Sequence, residues 1–407
     1  MIAERSRFVA KYVLQQTFNQ QHAMTKHFKR TGENLFCQDF VIEGALAHSN
    51  QFLKKLDLEV NFEQLWHEKL LQTYKGGAEI GQPPYRPAQV LKMLFLAYLF
   101  GTSEREIERI INDSISMKAF LHISLDEAAP DHSTLTKFKN RILSFDERNA
   151  TNLLKEFFDE IILLAQEKGV DLGYTQSIDS THTIANVNQA KEKERTKKIS
   201  EGGDGKKPRD PDAKYGVKKT KKVKTTKGKK VEITEGYVGY KSHFSVSALT
   251  NLITSYLVTT MAAYDGHYFE PLMRDDLKKG VAKPGETTYA ADRGYDDGEN
   301  HVWLETEKLK DSICLKNVTE WTADEKPAIR WPKYTTQQEF EDGRKKRFTV
   351  ERVNASVKKD HSLDRARYMG LAKMAFQTSM TALAHNLKTL VKHWTGVPLR
   401  GSLVHVS

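Results

Sequence analysis

Three acidic residues stand where a carboxylate is costly unless something answers its charge. Asp179 lies in an otherwise uncharged run, GYTQSIDSTHTI, that reads as a strand from Gly173 to Ile184. A carboxylate in a central strand is expensive to desolvate unless it is paired or holds a metal ion. Asp292 closes a second strand-like run, TTYAAD, and is followed by Gly294 and Tyr295. Taken singly, each aspartate also reads as a turn or cap residue. The third acid is Glu351 in RKKRFTVERVNASVK, which spans Arg344 to Lys358. On an α-helix, Arg344, Arg347, Glu351 and Lys358 share one face, with Val350, Val353 and Val357 as an apolar stripe beside it. One acid among three cations suits a polyanion held next to a metal ligand. The alternative is a surface ion-pair ladder built on Arg347 and Glu351 at i,i+4.

These residues need a scaffold, and the pattern from about residue 170 onward supplies an α/β one. Tyr237–Ala248 and Leu252–Met261 read as a hairpin around Thr250-Asn251. Leu272–Lys279 reads as helix, Thr287–Ala291 as strand, Asn300–Lys310 as helix and Ser312–Lys316 as strand. A long helix is expected from Arg365 to Trp394. The preceding part reads as all-α. Arg86-Pro87 opens an apolar helix that Gly101 stops, and Ser103 with Glu106 forms a capping box for the next. Asp131 or Ser133 caps a helix with Leu135, Phe138 and Ile142 on one face. A further helix is expected from Glu147 to Lys168, ended by Gly169. The exposed side of the Asp131 helix carries Thr134, Lys137, Lys139, Asn140 and Arg141, donors of the kind a recognition helix aims at phosphates and base edges. A plain surface helix gives the same alternation.

The charge is unevenly placed. The chain has 63 Lys+Arg against 53 Asp+Glu, and the segment Lys191–Lys230 carries essentially the whole net charge of +10. Low in apolar residues, this stretch, with Lys218 and Lys219, is expected to be disordered. It reads either as a polyanion-binding arm or as a solvated loop. The two cysteines, Cys37 and Cys314, exclude a disulfide scaffold and a thiolate zinc module and favour a reducing compartment. The N-terminus shows no signal-peptide pattern, and the longest apolar run, Met93–Phe100, is far below the roughly 18 residues of a membrane span. A soluble cytoplasmic protein is expected.

Asp179 in SIDST, Asp292 in ADRGY, and Arg347, Glu351 and Lys358 in R-x3-E-x6-K together resemble the DDE transposases of bacterial insertion sequences. The similarity is to the subgroup with the signatures D-x-G-[YF] and Y-x2-R-x3-E-x6-K. Arg344 stands where that pattern has Tyr. YRPAQVLKML and PDHSTLTKF look like the helical N-terminal domain of these proteins, and DPDAKYG and GYKSH, which holds Lys241, like further segments. The resemblance runs from about Phe62 to Leu390.

The resemblance implies an α/β, ribonuclease-H-like catalytic domain over residues 169–395 with a basic disordered insertion at about 190–235. An all-α, helix-turn-helix-like DNA-binding domain would occupy 61–168, after a helical extension, 1–60, and before a tail, 396–407. It implies two Mg²⁺ ions, or Mn²⁺, held by Asp179, Asp292 and Glu351, an all-oxygen set that suits hard cations. It further implies DNA contacts from Arg344, Arg347, Lys358, Lys137, Asn140, Arg141, Lys241, Lys218 and Lys219. The partners would be double-stranded DNA, as terminal inverted repeats and as target, handled by a homodimer in a synaptic complex at the bacterial nucleoid. Two rivals share these features: a transposase-derived DNA-binding regulator without catalysis, and a Mg²⁺-dependent structure-specific nuclease.

Overall fold

The computed structural model describes residues 51–74, 83–202, 207–224, 230–316 and 334–399. Most of the expected N-terminal extension, including Cys37, and the last residues of the tail lie outside these.

The chain begins with a helical layer: α1 (Phe52–Glu59), α2 (Phe62–Gln72), α3 (Pro87–Leu99), α4 (Glu104–Asp113), α5 (Ile115–Leu121), α6 (His132–Asn149) and α7 (Leu153–Glu167). Pro87 opens α3, and every residue of this helix is buried, so it forms the centre of the layer. Gly101 ends the turn at φ +65°, and a Cβ there would lie 2.9 Å from the Asp360 carbonyl oxygen, so a left-handed residue without a side chain is required. Ser103 caps α4, and Asp131, rather than Ser133, caps α6 by accepting from Ser133 N at 2.6 Å.

The single helix expected from Glu147 to Lys168 is two helices. Ala150 adopts φ +51°, and Asp146 Oδ1 accepts from Thr151 Oγ1 and Leu153 N, which locks the reversal before Asn152 caps α7. Phe52, Leu53 and Leu56 of α1 pack into the same core as α3 and α7.

The second part is a mixed sheet of β1 (Thr175–Ile184), β2 (Lys214–Lys224), β3 (Lys230–Ser247), β4 (Ile253–Thr260), β5 (Thr288–Ala291) and β6 (Lys310–Ile313). Its main body runs β4-β3-β1-β5-β6, antiparallel on the β3 side of β1 and parallel on the β5 side. The first half of β3 leaves this body and pairs with β2 as a two-stranded arm, from Lys224↔Lys230 to Lys214↔Gly239. Helix α8 (Gln189–Ser200) precedes the arm.

The insertion expected to be disordered therefore holds a helix and a strand, although residues 225–229 at the arm's tip lie outside the described residues. Backbone pairing with β3 orders a lysine-rich strand that side-chain hydrophobicity alone would not. Asp210 accepts from Tyr240 Oη at 2.7 Å and from Gly370 N, and Asp212 accepts from Leu371 N at 2.8 Å, which ties the segment to the last helix.

Helices α9 (Phe269–Lys278) and α10 (Gly298–Thr306) cover one sheet face, packing Phe269, Leu272 and Leu304 around Ile178, Tyr289 and Ile313. The other face takes α12 (Phe348–His361) and α13 (Leu371–Thr395), whose apolar residues share one core with the helical layer. Helix α13 starts six residues later than expected, because Arg365 is drawn into a β-bridge with Ile184. No helix among the described residues is long and apolar enough to cross a membrane.

Candidate active site

The register of β1 against β5 brings the two aspartates together. Ile178 pairs with Ala291 in parallel, so the next residue on each strand is Asp179 or Asp292. Neighbouring strands lie about 4.8 Å apart, which makes the two carboxylates neighbours at the end of the β5 ladder. Asp292 is half-buried, and its Oδ1 accepts from Gly294 N at 2.8 Å, closing the turn that the Asp-x-Gly-Tyr spacing suggested. Tyr295 is buried against Phe269, with ring centroids 6.1 Å apart.

Glu351 arrives from α12, with a difference from the expected single face. The helix is divided at Arg347 into α11 (Gln337–Lys346) and α12. Helix α11 begins with a reciprocal capping box between Thr336 and Glu339 and packs tightly on the sheet at Gly343. A Cβ there would lie 2.5 Å from Ser312 Oγ, so this closeness needs glycine. Arg344 lies in the last turn of α11 and pairs with Glu341 at 2.9 Å, on exposed surface. Arg347 Nη1 donates to Glu351 Oε1 at 2.8 Å. Lys358 is half-buried two turns further along α12.

Asp179 feels all of this. Its carboxyl is pushed up to about 7, first by burial and then by the negative charges of Asp292, Asp265 and Glu351, against a backbone hydrogen bond from Ser180 that lowers it. Asn354, one turn after Glu351 and buried, donates Nδ2 to Asp179 Oδ2 at 3.0 Å. Its Oδ1 is buried and has no partner among the described residues.

Two residues of this group were not foreseen. Asp265 follows β4 in an Asp-Gly turn that reads as ordinary punctuation, and Asn354 reads as one more polar helix residue.

The donor set is all oxygen, and its mutual repulsion is what a hard divalent cation relieves, so the residues fit the metal that the resemblance implied. The three carboxylates are not drawn to ligating distance of one another. Among the described residues, the one trio of such groups with all ligand atoms within 4.8 Å is Glu108, Asp131 and His132. That trio ties α4 to the start of α6: Glu108 Oε2 accepts from both His132 N, at 2.8 Å, and His132 Nδ1, at 2.7 Å.

Several expected DNA contacts are placed otherwise. Lys241 is buried, and its Nζ donates to Asp265 Oδ1 and the Ala263 carbonyl, both at 2.8 Å, so it serves the site's interior. Lys139 is buried against Glu104 and donates to Tyr368 Oη at 3.0 Å. Arg141 is half-buried with its guanidinium 3.8 Å from the centre of the Tyr74 ring, a cation–π contact within the chain. Lys137 and Asn140 remain exposed on α6. The backbone of Lys218 and Lys219 lies in β2, and their side chains are outside the described residues.

A mixed sheet with two aspartates on adjacent parallel strands, a glutamate on a following helix and helices on both faces fits a ribonuclease-H-like fold. Two family models match in sequence: a transposase domain (DUF772) over residues 40–141 and a transposase DDE domain over residues 178–387. The second alone spans more than half of the chain, which therefore belongs to the DDE transposases and is a DNA-cleaving, strand-transferring enzyme. Among solved structures, a piggyBac transposase synaptic complex with hairpin DNA is similar at 9% identity and a TM-score of 0.39, covering 88% of this chain and 79% of that one. A Mos1 mariner paired-end complex with Mn is similar at 12% identity and a TM-score of 0.20, covering 80% of this chain and 86% of that one.

Proposed function

We propose that the enzyme cuts at the terminal inverted repeats of its own insertion sequence and joins the freed 3′-OH ends to target DNA, with Asp179, Asp292 and Glu351 as its catalytic carboxylates. The observation that carries this reading is the β1–β5 register, which sets Asp179 beside Asp292, with the negative charge of Glu351 felt at the same carboxyl. These three would hold Mg²⁺, with Mn²⁺ as substitute and two ions per site. Metal of this kind, when bound, lowers the pKa of an attacking water or 3′-OH and stabilises the leaving oxygen.

The protein's own residues do the rest. Asn354 orients Asp179, while Arg347 keeps Glu351 extended along α12. Arg347 and Lys358 face the DNA phosphates beside the acids, and Arg344 adds a planar cation where the related pattern has an aromatic ring. Helix α6 reads the element end through Lys137 and Asn140, as in a helix-turn-helix protein. Joining two ends in one event calls for a homodimer in the synaptic complex.

The test is a strand-transfer assay with a pre-cleaved end duplex and a plasmid target, run for the parent and for Asp179→Ala, Asp292→Ala and Glu351→Ala. All three substitutions should abolish cleavage and joining while end binding stays within a few-fold. A variant with near-parental cleavage in Mg²⁺ would remove that residue from the triad. Cleavage without joining would point to a nuclease, and end binding without either reaction to a regulator.

A further inference from the structure

Where the helical layer meets the end of β1 there is an open cleft of about 710 Å³. One wall is α6, which contributes Thr136 and Asn140; the other is the segment Ser362–Tyr368 with the start of α13, which contributes Arg365 and Lys373. This second wall is fastened to the strand that carries Asp179: Ile184 N donates to the Asp364 carbonyl at 3.0 Å, and Ala366 N to the Ile184 carbonyl at 2.8 Å.

The cleft's cations divide into two kinds. Lys139 is bound to Glu104 and Tyr368, and Arg367 donates Nη1 to the Thr102 carbonyl at 2.7 Å while covering the Tyr98 ring. These hold the two walls together. Arg365 and Lys373 are exposed and have no side-chain partner among the described residues. Thr136 and Asn140 face them, exposed and uncharged. Asp364, also exposed, is the acid they share the rim with. Two unanswered cations opposite hydroxyl and amide donors, across a cleft with rigid walls, complement a phosphodiester chain better than a neutral or cationic partner.

Position adds a measurable distance. Ile184, which Arg365 pairs with, is five residues past Asp179 on β1. At about 3.3 Å per residue this is roughly 17 Å, and with one phosphate per strand every 3.4 Å of duplex axis it corresponds to about five nucleotides for a duplex lying along β1.

We infer that this cleft seats the sugar–phosphate backbone of the element end about five nucleotides from the scissile phosphate, joining the α6 contact to the catalytic acids. The inference rests on the reading of Asp179 as a catalytic acid and on the proposed end cleavage.

The test uses the full chain and an end duplex. Arg365→Gln with Lys373→Gln should flatten the slope of log K against log salt by roughly two units, at about 0.9 for each phosphate that is no longer neutralised. Arg365→Lys with Lys373→Arg should retain the slope. Methylphosphonate placed about four to six nucleotides from the cut should weaken binding by the parent, and should have no further effect on the Gln variant. If the parent cleaves and binds its ends but the Gln variant keeps the parental slope and the parental sensitivity to methylphosphonate, the cleft inference is wrong and the cleavage reading stands. If the parent shows no preference for ends and no cleavage, the underlying function reading fails first.

Discussion

Asn354→Ala separates holding a catalytic carboxylate from holding the fold. The bond removed runs from Asn354 Nδ2 to Asp179 Oδ2 at 3.0 Å, in a buried setting. A hydrogen bond to a charged partner contributes about 1.5–3 kcal/mol, so if Asp179 must be ionised and oriented in the transition state, cleavage should slow by roughly one to two orders of magnitude. Stability should change less. Ala also removes Asn354 Oδ1, which is buried with no partner among the described residues, and the return of that desolvation cost offsets part of the missing bond. A net change within about 1 kcal/mol is expected. Asn354→Asp is the stricter form, since it nearly preserves shape while adding an anion beside a carboxyl already raised by Asp292, Asp265 and Glu351. It should be less active than Ala. The assay is single-turnover cleavage of an end duplex at saturating Mg²⁺, with thermal melting of each variant alongside. Parental cleavage rates in both variants would refute the positioning role; a loss of activity that only followed a loss of stability would reduce Asn354 to a packing residue.

Lys241→Met should leave the salt dependence of DNA binding unchanged and lower stability by about 2–4 kcal/mol, because Asp265 loses a mostly buried partner; a flattened salt slope with unchanged melting would restore Lys241 to the DNA surface. Gln substitution of Lys218, Lys219, Lys221 and Lys222 on β2 should flatten that slope by about 0.9 unit for each phosphate the arm neutralises, and an unchanged slope would make the arm a solvated strand. His361 is held down to about 3 by burial, with Nδ1 against the Tyr98 carbonyl. The unfolded chain therefore takes up a proton that the native state refuses, so this contribution is full above about pH 6.5 and is lost as pH falls towards 3. Urea midpoints across that range should show His361→Gln with a shallower acid decline than the parent, by up to about 1.4 kcal/mol per pH unit; parallel curves would contradict it.

Local features of the chain were enough to mark the acids and much of the scaffold. Asp179 betrays itself as the one charge in a strand-like run, and the observed β1 ends at Ile184 as expected and begins at Thr175, two residues after the Gly173 at which the run was expected to start. Asp292 is flagged by an apolar strand ending in a glycine turn, and β5 ends one residue before it. Alternation, caps and glycine stops are properties of a few consecutive residues, so a sequence displays them directly.

Tertiary structure alone decided the fate of the cations. Lys137 and Arg141 share one side of a helical wheel, yet one stays in solvent and the other stacks on Tyr74; Lys139, about 200° away from Lys137 and so beside Leu135 and Ile142, is buried against Glu104 instead of lying on the exposed side as expected. The partners that settle this are remote: Lys139 meets Tyr368 across 229 residues, and Lys241 meets Asp265 across 24. The same holds for Asn354, which finds Asp179 across 175 residues. Periodicity records which side of an element faces inward. Whether a charge on that side is answered depends on Coulomb and hydrogen-bond partners that only the folded chain brings within about 3 Å.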